Sequence, residues 1–250
     1  MDFLNGEKYN VLVTGSAGVI GRAACRALQD RGHSVIGFDL RETPGVDQAV
    51  VGNLTDCAAL DRAMSGVTSV IHLGAIPTAA DFVEKLVPNN VIAVHEVFEA
   101  AVRAGVRRVV FASSGQVVSG RIQEGVTIRL EDGPAPVNHY ALLKLWGEQL
   151  GAMMWRNHGV SFIGMRIGFC PRTAEEVKRI EESEICRAMY LSPRDAGRFL
   201  VCAVEADSIE CEILFATSRC PATPLFDLEP ARRLIGYEPV DLFPDGCGTI

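Results

Sequence analysis

Three glycines spaced three apart, Gly15, Gly18 and Gly21, join a short β-branched run, Asn10–Thr14, to an amphipathic stretch from Gly18 to Arg31. A strand that turns this sharply into a helix leaves few folds open. Gly15 permits the tight turn, Gly18 lets backbone amides approach a ligand, and Gly21 lets the helix pack on the strand. The intervening Ala17, Val19 and Ile20 lie along the same turn. The helix start then faces outward with free N–H groups and the positive end of its dipole, a seat for a pyrophosphate. Eighteen residues past Gly21, at the end of the apolar run Ser34–Phe38, stands Asp39, followed by Leu40. A carboxylate there accepts hydrogen bonds from a ribose and repels a 2′-phosphate. That favours NAD over NADP, with Arg41 close enough to keep NADP open.

Apolar runs and helical patterns alternate along the rest of the chain. Strands are expected at Ala49–Val51, Ser69–Leu73, Arg108–Ala112, Val160–Met165 and Glu210–Ala216. Helices are expected at Asp56–Ser65 with Thr55 as cap, Phe82–Ala104, Tyr140–His158, Pro193–Glu205 with Ser192 as cap, and Asp227–Ile235. Strand–helix alternation means parallel pairing through right-handed crossovers. The fold class is α/β, a Rossmann-type doubly wound parallel sheet. Residues 1–250 read as one domain, with 9–167 as the dinucleotide-binding core and 168–250 as a small C-terminal substrate cap. Within that cap 172–184 reads as a charged surface helix or flap, and the tail after Pro244 as mobile.

Composition removes several classes. The chain is 48% hydrophobic and 22% charged, so it has a core to bury and is not disordered. It carries 24 basic against 31 acidic residues, net −7, with no basic block to meet nucleic acid or an anionic membrane. No apolar run reaches the roughly 20 residues a membrane helix needs. The first nine residues hold Asp2, Glu7 and Lys8 and no apolar run, so no export signal is expected. Eight cysteines without a C-x-x-C pair read as small hydrophobes in a reduced, cytoplasmic protein. Five histidines with no i, i+4 pair give no metal site.

Chemistry enters with Tyr140 and Lys144, one helical turn apart and so on one face. A tyrosine is a poor base at its ordinary pKa near 10. A neighbouring ammonium and a cationic ring favour the phenolate and move it into a useful range. Ser113 and Ser114 follow the fifth strand, at the sheet edge where α/β proteins hold ligands.

Together, Gly15-x-x-Gly18-x-x-Gly21, Asp39, Asn53-Leu54 with Asp56, His72-Leu73-Gly74-Ala75, Asn90-Val91, Ser113-Ser114 and Tyr140-x-x-x-Lys144 resemble the extended short-chain dehydrogenase/reductases, which include the NAD-dependent epimerase/dehydratases. The resemblance covers about residues 9–243. It implies Tyr140 as acid/base, Lys144 as its electrostatic partner and ribose ligand, Ser114 as hydroxyl anchor, and Asn90 as a relay or helix-kink residue. It places Asn53 and Leu54 by the adenine, and Leu73, Gly74, Ala75 and Ile167 along the cofactor. Within the family the chain is similar to the uronate dehydrogenases, through Asn53-Leu54-Thr55-Asp56, Val109–Ser114, Arg166-Ile167-Gly168 and Arg187-Ala188-Met189. There Arg187 matches the position that holds a sugar carboxylate. Pro77, Gly115 and Gln116 depart from the pattern at substrate contacts. The family commonly dimerises through the two long helices, which implies a homodimer or higher homo-oligomer.

The expected activity is NAD-dependent oxidation of a hydroxyl on a small sugar or sugar acid. Only 106 residues follow Lys144, which suits a small substrate better than a nucleotide sugar. The alternatives are an epimerase or dehydratase that retains its NAD, and a non-catalytic dinucleotide sensor.

Overall fold

Each strand of the central sheet is a short β-branched run whose side chains alternate between two apolar layers. The computed structural model describes residues 8–46 and 48–247. The reading of the N-terminal segment at residues 1–7, and the last three residues of the expected mobile tail, lie outside them. In chain order the elements are Asn10–Thr14 (β1), Val19–Asp30 (α1), Ser34–Asp39 (β2), Gln48–Val51 (β3), Cys57–Ala63 (α2), Ser69–His72 (β4), Ala93–Arg103 (α3), Arg108–Ser114 (β5), His139–His158 (α4), Ser161–Ile167 (β6), Ala174–Glu182 (α5), Glu184–Ala188 (α6), Pro193–Glu205 (α7), Cys211–Ala216 (β7) and Glu229–Ile235 (α8). All seven strands run parallel in the order β3-β2-β1-β4-β5-β6-β7. The winding therefore reverses between β1 and β4, the doubly wound Rossmann-type sheet expected from the sequence.

Val11 and Val13 of β1 face one core with Leu28 of α1 and Phe199 of α7, while Leu12 faces the other with Leu60, Phe98 and Phe111. No helix among the described residues is long and apolar enough to cross a membrane.

Several boundaries differ from the sequence reading. Asp56, not Thr55, caps α2, accepting from Ala59 N at 3.0 Å. The single helix expected over Phe82–Ala104 is broken. Two wide turns with i→i−5 hydrogen bonds, Phe82–Leu86 and Pro88–Ile92, precede α3. Pro88 has no N–H to donate one turn back, so the ladder opens there. The tail is not free over its described part. Leu242 N donates to Asp245 Oδ2 at 2.9 Å, Cys247 N to Pro244 O at 3.1 Å, and the Tyr190 hydroxyl to Asp245 O.

The stretch from 168 onward divides in two. Residues 169–191, with α5 and α6, lie over the strand ends, while α7 and β7 belong to the sheet and its core. Arg108 of β5 donates to the carbonyls of Ala203, Val204 and Ala206 at 2.5–3.2 Å, satisfying the open end of α7.

Helix α4 is apolar nearly all round, and its glycines decide which face meets the sheet. A Cβ on Gly147 would come within 2.5 Å of Phe111, and one on Gly151 within 2.1 Å of Phe162. Between them Glu148, 1% exposed, binds Arg166 of β6 through two parallel bonds, Nε–Oε1 at 2.9 Å and Nη2–Oε2 at 2.8 Å. Ser113 Oγ donates to the same carboxylate at 2.5 Å. One buried carboxylate thus ties α4 to β5 and β6.

Removing one partner of such a pair leaves a buried charge uncompensated. Arg166→Met should cost about 3–5 kcal/mol of unfolding free energy, and adding Glu148→Leu should restore most of it. Urea unfolding of both variants is the check. A wild-type midpoint for Arg166→Met would mean the clamp contributes nothing.

Candidate active site

The glycine turn opens the site. Gly15 has φ +70°, and its N–H donates to Phe38 O at 2.8 Å. A Cβ there would sit 2.7 Å from Gly74 N, and one on Gly21 only 2.2 Å from Gly15 O. No larger residue fits either position, so the turn closes tightly and the start of α1 points into a cleft of about 1070 Å³ at the carboxyl edge of the sheet. Gly18, Val19 and Ile20 line it. Ala17 does not. It is buried, and its N–H is spent on Asp39 Oδ2 at 3.1 Å.

Asp39 is oriented by the backbone at both oxygens, since Arg41 N donates to Oδ1 at 3.1 Å. Asp39, Leu40 and Arg41 line one end of the cleft with Asn53 and Leu54. Asn53 Oδ1 accepts from Thr55 N and Oγ1, both at 3.0 Å, which fixes that loop. Leu73, Gly74 and Ala75 form the wall between the two halves of the sheet. Thr14 Oγ1 accepts from Gly74 N at 3.3 Å and meets His72 Nδ1 at 2.7 Å. Asn90 grips the next residue from behind. Its Oδ1 accepts from Ile76 N at 2.8 Å and its Nδ2 donates to Ile76 O at 2.9 Å. Buried in the wide turn that follows Pro88, Asn90 does not face the cleft.

The other end is built by β5 and α4. Asn138 caps α4 through Ala141 N at 2.8 Å, so Tyr140 sits in the first turn and Lys144 in the next. Ser114, Gln116, Pro77 and Ile167 stand around them in the cleft. Ser114 Oγ accepts from Gln116 N at 3.1 Å, and Gln116 Oε1 accepts from Asn138 Nδ2 at 3.0 Å. Lys144 Nζ donates to Ala112 O at 2.6 Å and lies 4.9 Å over the Phe111 ring and 5.7 Å from the centre of the Tyr140 ring. Burial draws the Lys144 ammonium down to about 7. Burial pushes the Tyr140 phenol above its ordinary value, opposed by a Ser114 hydrogen bond and the charge of Arg172. The spacing of Tyr140 and Lys144 predicts a phenol lowered by the ammonium, together with a bound cationic ring. In the structure desolvation dominates, while Lys144 lies beside the ring and the charge of Arg172 favours the base form of the phenol.

Two expected substrate residues stand elsewhere. Gly115 packs on Phe226, where a Cβ would come within 2.8 Å of the ring. Arg187 is not in the cleft lining. Its Nη1 donates to Glu181 O at 2.7 Å, at the end of α5, and its Nη2 is 3.9 Å from Glu184. The open carbonyl end of a helix captures a cation. Phe169, Arg172, Glu176 and Arg179 face the cleft instead. No local signal marks them. Their segment reads as a solvated charged helix until the cross-chain pairing of Phe169 N with Met189 O (2.6 Å) and Leu191 N with Phe169 O (3.0 Å) folds it over the strand ends.

The cradle fits a dinucleotide: a turn that admits only glycine, a carboxylate held toward a ribose position, and a buried Tyr–Lys pair at the far end. Comparison with known proteins agrees. Residues 11–170 match the NAD dependent epimerase/dehydratase family. The L-arabinose 1-dehydrogenase (NAD(P)(+)) of Haloferax volcanii is 30% identical, over 92% of this chain and 96% of that one. The NAD-dependent glucose-6-phosphate dehydrogenase of the same organism is 31% identical, over 92% and 93%. The crystal structure of glucuronic acid dehydrogenase from Chromohalobacter salexigens superposes with a TM-score of 0.81 at 25% identity, over 98% and 89%.

Asn90→Ala removes both bonds to Ile76 and frees the wall beside Gly74. The dissociation constant for NAD should rise about tenfold, equivalent to about 1.4 kcal/mol. Fluorescence titration measures it, and unchanged affinity would show that the wall holds its shape without the clasp.

Proposed function

The chain belongs to the NAD dependent epimerase/dehydratase family, and from that premise we propose that it is an NAD-dependent oxidoreductase that oxidises a hydroxyl of a small sugar or sugar acid. One observation carries the reading. Tyr140, Ser114 and Lys144 converge at the carboxyl end of β5, beyond the glycine turn and in the same cleft. The names of the compared dehydrogenases, which include an aldose, a sugar phosphate and a sugar acid, support the substrate class.

NAD, when bound, supplies the acceptor for a hydride. The side chains handle the proton. Tyr140, as phenolate, takes it from the substrate hydroxyl, while Ser114 holds the oxygen that loses it. Lys144 stabilises the phenolate, and the new negative charge keeps the buried ammonium protonated in turn. Asp39 selects the cofactor by accepting from the ribose and repelling a 2′-phosphate. Gly15, Gly18, Val19, Ile20, Leu40, Asn53, Leu54, Leu73, Gly74, Ala75 and Ile167 supply contacts along the cofactor, and Ala17 acts through Asp39. Gln116 and Pro77 border the substrate. Residues 9–167 serve as the cofactor core and 169–191 as the substrate cap.

Tyr140→Phe should lower kcat by about 10²–10⁴-fold while NAD still binds. Because burial raises the phenol, oxidation by the unaltered enzyme should quicken as pH rises through the alkaline range, when the base form fills. Steady-state rates across pH check both. Turnover near the original level in the phenylalanine variant would remove Tyr140 as the base.

We also read the protein as a cytoplasmic homodimer. Leu142 is 51% exposed, Met153 43% and Ile92 45%, all on α4 and the approach to α3. Pairing of these helices with their symmetry mates would cover the patch. Light scattering should give twice the 27.0 kDa chain mass. A species at the chain mass itself rules the dimer out.

A further inference from the structure

The substrate end of the cleft carries more positive charge than negative, in a protein whose net charge is −7. Arg172, Glu176 and Arg179 line it together. Arg172 is already held by Glu176, whose Oε2 accepts from Arg172 N at 2.7 Å and Nε at 3.2 Å and whose Oε1 accepts from Nη2. Arg179 is different. Its charge reaches the Glu176 carboxylate, but it makes no ion pair within 4.0 Å among the described residues, and its guanidinium carbon lies 5.4 Å over the Phe169 ring. A cation held over an aromatic face keeps its N–H groups available to a ligand. Phe169 is itself fixed by its backbone bonds to Met189 and Leu191. The result is a guanidinium over an aromatic ring whose backbone is fixed, in the same cleft as Tyr140. Arg187, the other arginine of this region, is occupied by Glu181 O.

We propose that Arg179, with Arg172 beside it, forms an anion subsite, and that the substrate is a sugar carrying a carboxylate or a phosphate group. The inference rests on the dehydrogenase reading above and names its substrate class. Two parallel N–H donors match either anion. The site also reaches the chemistry. The charge of Arg172 is felt at the Tyr140 phenol and favours its base form.

The test compares binding of D-glucuronate, D-glucose 6-phosphate and D-glucose to the NADH-loaded enzyme by calorimetry, at low and high salt. Glucose is the internal reference, and NADH affinity reports that each variant is folded. At least one anion should bind about 10–150-fold more tightly than glucose, as a charge-assisted hydrogen bond would give. Added salt should erode that preference, because the arginines are exposed. Arg179→Gln should collapse the ratio toward one, and Arg179→Lys should restore part of it. The two charged sugars, as separate arms, name the anion. Equal binding of all three sugars, binding of none, or a preference that survives Arg179→Gln would overturn the inference. Turnover keeps the two readings apart. An anion preference with no NADH formed from any sugar would overturn the dehydrogenase and leave the subsite, whereas NADH formed from glucose alone would do the reverse.

Discussion

Parallel pairing of all seven strands puts every carboxyl end at one edge of the sheet, and the rest of the molecule is arranged around that edge. The order β3-β2-β1-β4-β5-β6-β7 reverses its winding between β1 and β4, so the loops after those two strands part instead of crossing over each other. The glycine turn leaves β1 on one side of the gap, and the Leu73–Ala75 wall leaves β4 on the other. Neither would form a cleft alone. Contact between Gly15 and Gly74, too close for a side chain at Gly15, makes them one surface.

Position at the reacting end is set by a different device. Gly147 and Gly151 let α4 rest directly on Phe111 and Phe162, and the Glu148–Arg166 pair fixes its register along the strands. Tyr140, Lys144 and Glu148 share one face of the helix, spaced by single turns. The buried carboxylate at the end of that row therefore sets the height of the phenol at its beginning. Burial then works against the chemistry, raising Tyr140 and lowering Lys144. The site is poised so that a charge arriving near the phenol has a large effect, because there is little water to screen it.

The doubly wound parallel sheet and the residues of the glycine turn were legible in the sequence because they rest on local signals. The glycines, Asp39 and the helix face carrying Tyr140 and Lys144 are each decided within one or two turns of chain. Pro88 could have announced the break before α3, but the apolar pattern on either side reads straight through it. The cap was the illegible part. Arg187 stands in a motif that only resembles that of sugar-acid enzymes, and its side chain goes to the end of α5. Arg172 and Arg179 lie in a segment whose charges suggest only solvent. Which arginines face the cleft is decided by pairing between Phe169 and Met189–Leu191, twenty residues apart, and no periodicity encodes that.

The packing of α1 against α7 has a consequence in time. Ala24 and Leu28 bury themselves against a helix, with Phe199 and Leu200 at its centre, that lies roughly 170 residues later in the chain. Arg31 and Glu205 close the same contact with a two-pronged ion pair. At roughly 5–20 residues per second, a ribosome takes about 10–35 s to make the intervening stretch. Through that interval the glycine turn and its strand exist, but one face of the first helix has no cover. The cover of the first helix must therefore await synthesis through Glu205, and until then its apolar face has no partner within the chain.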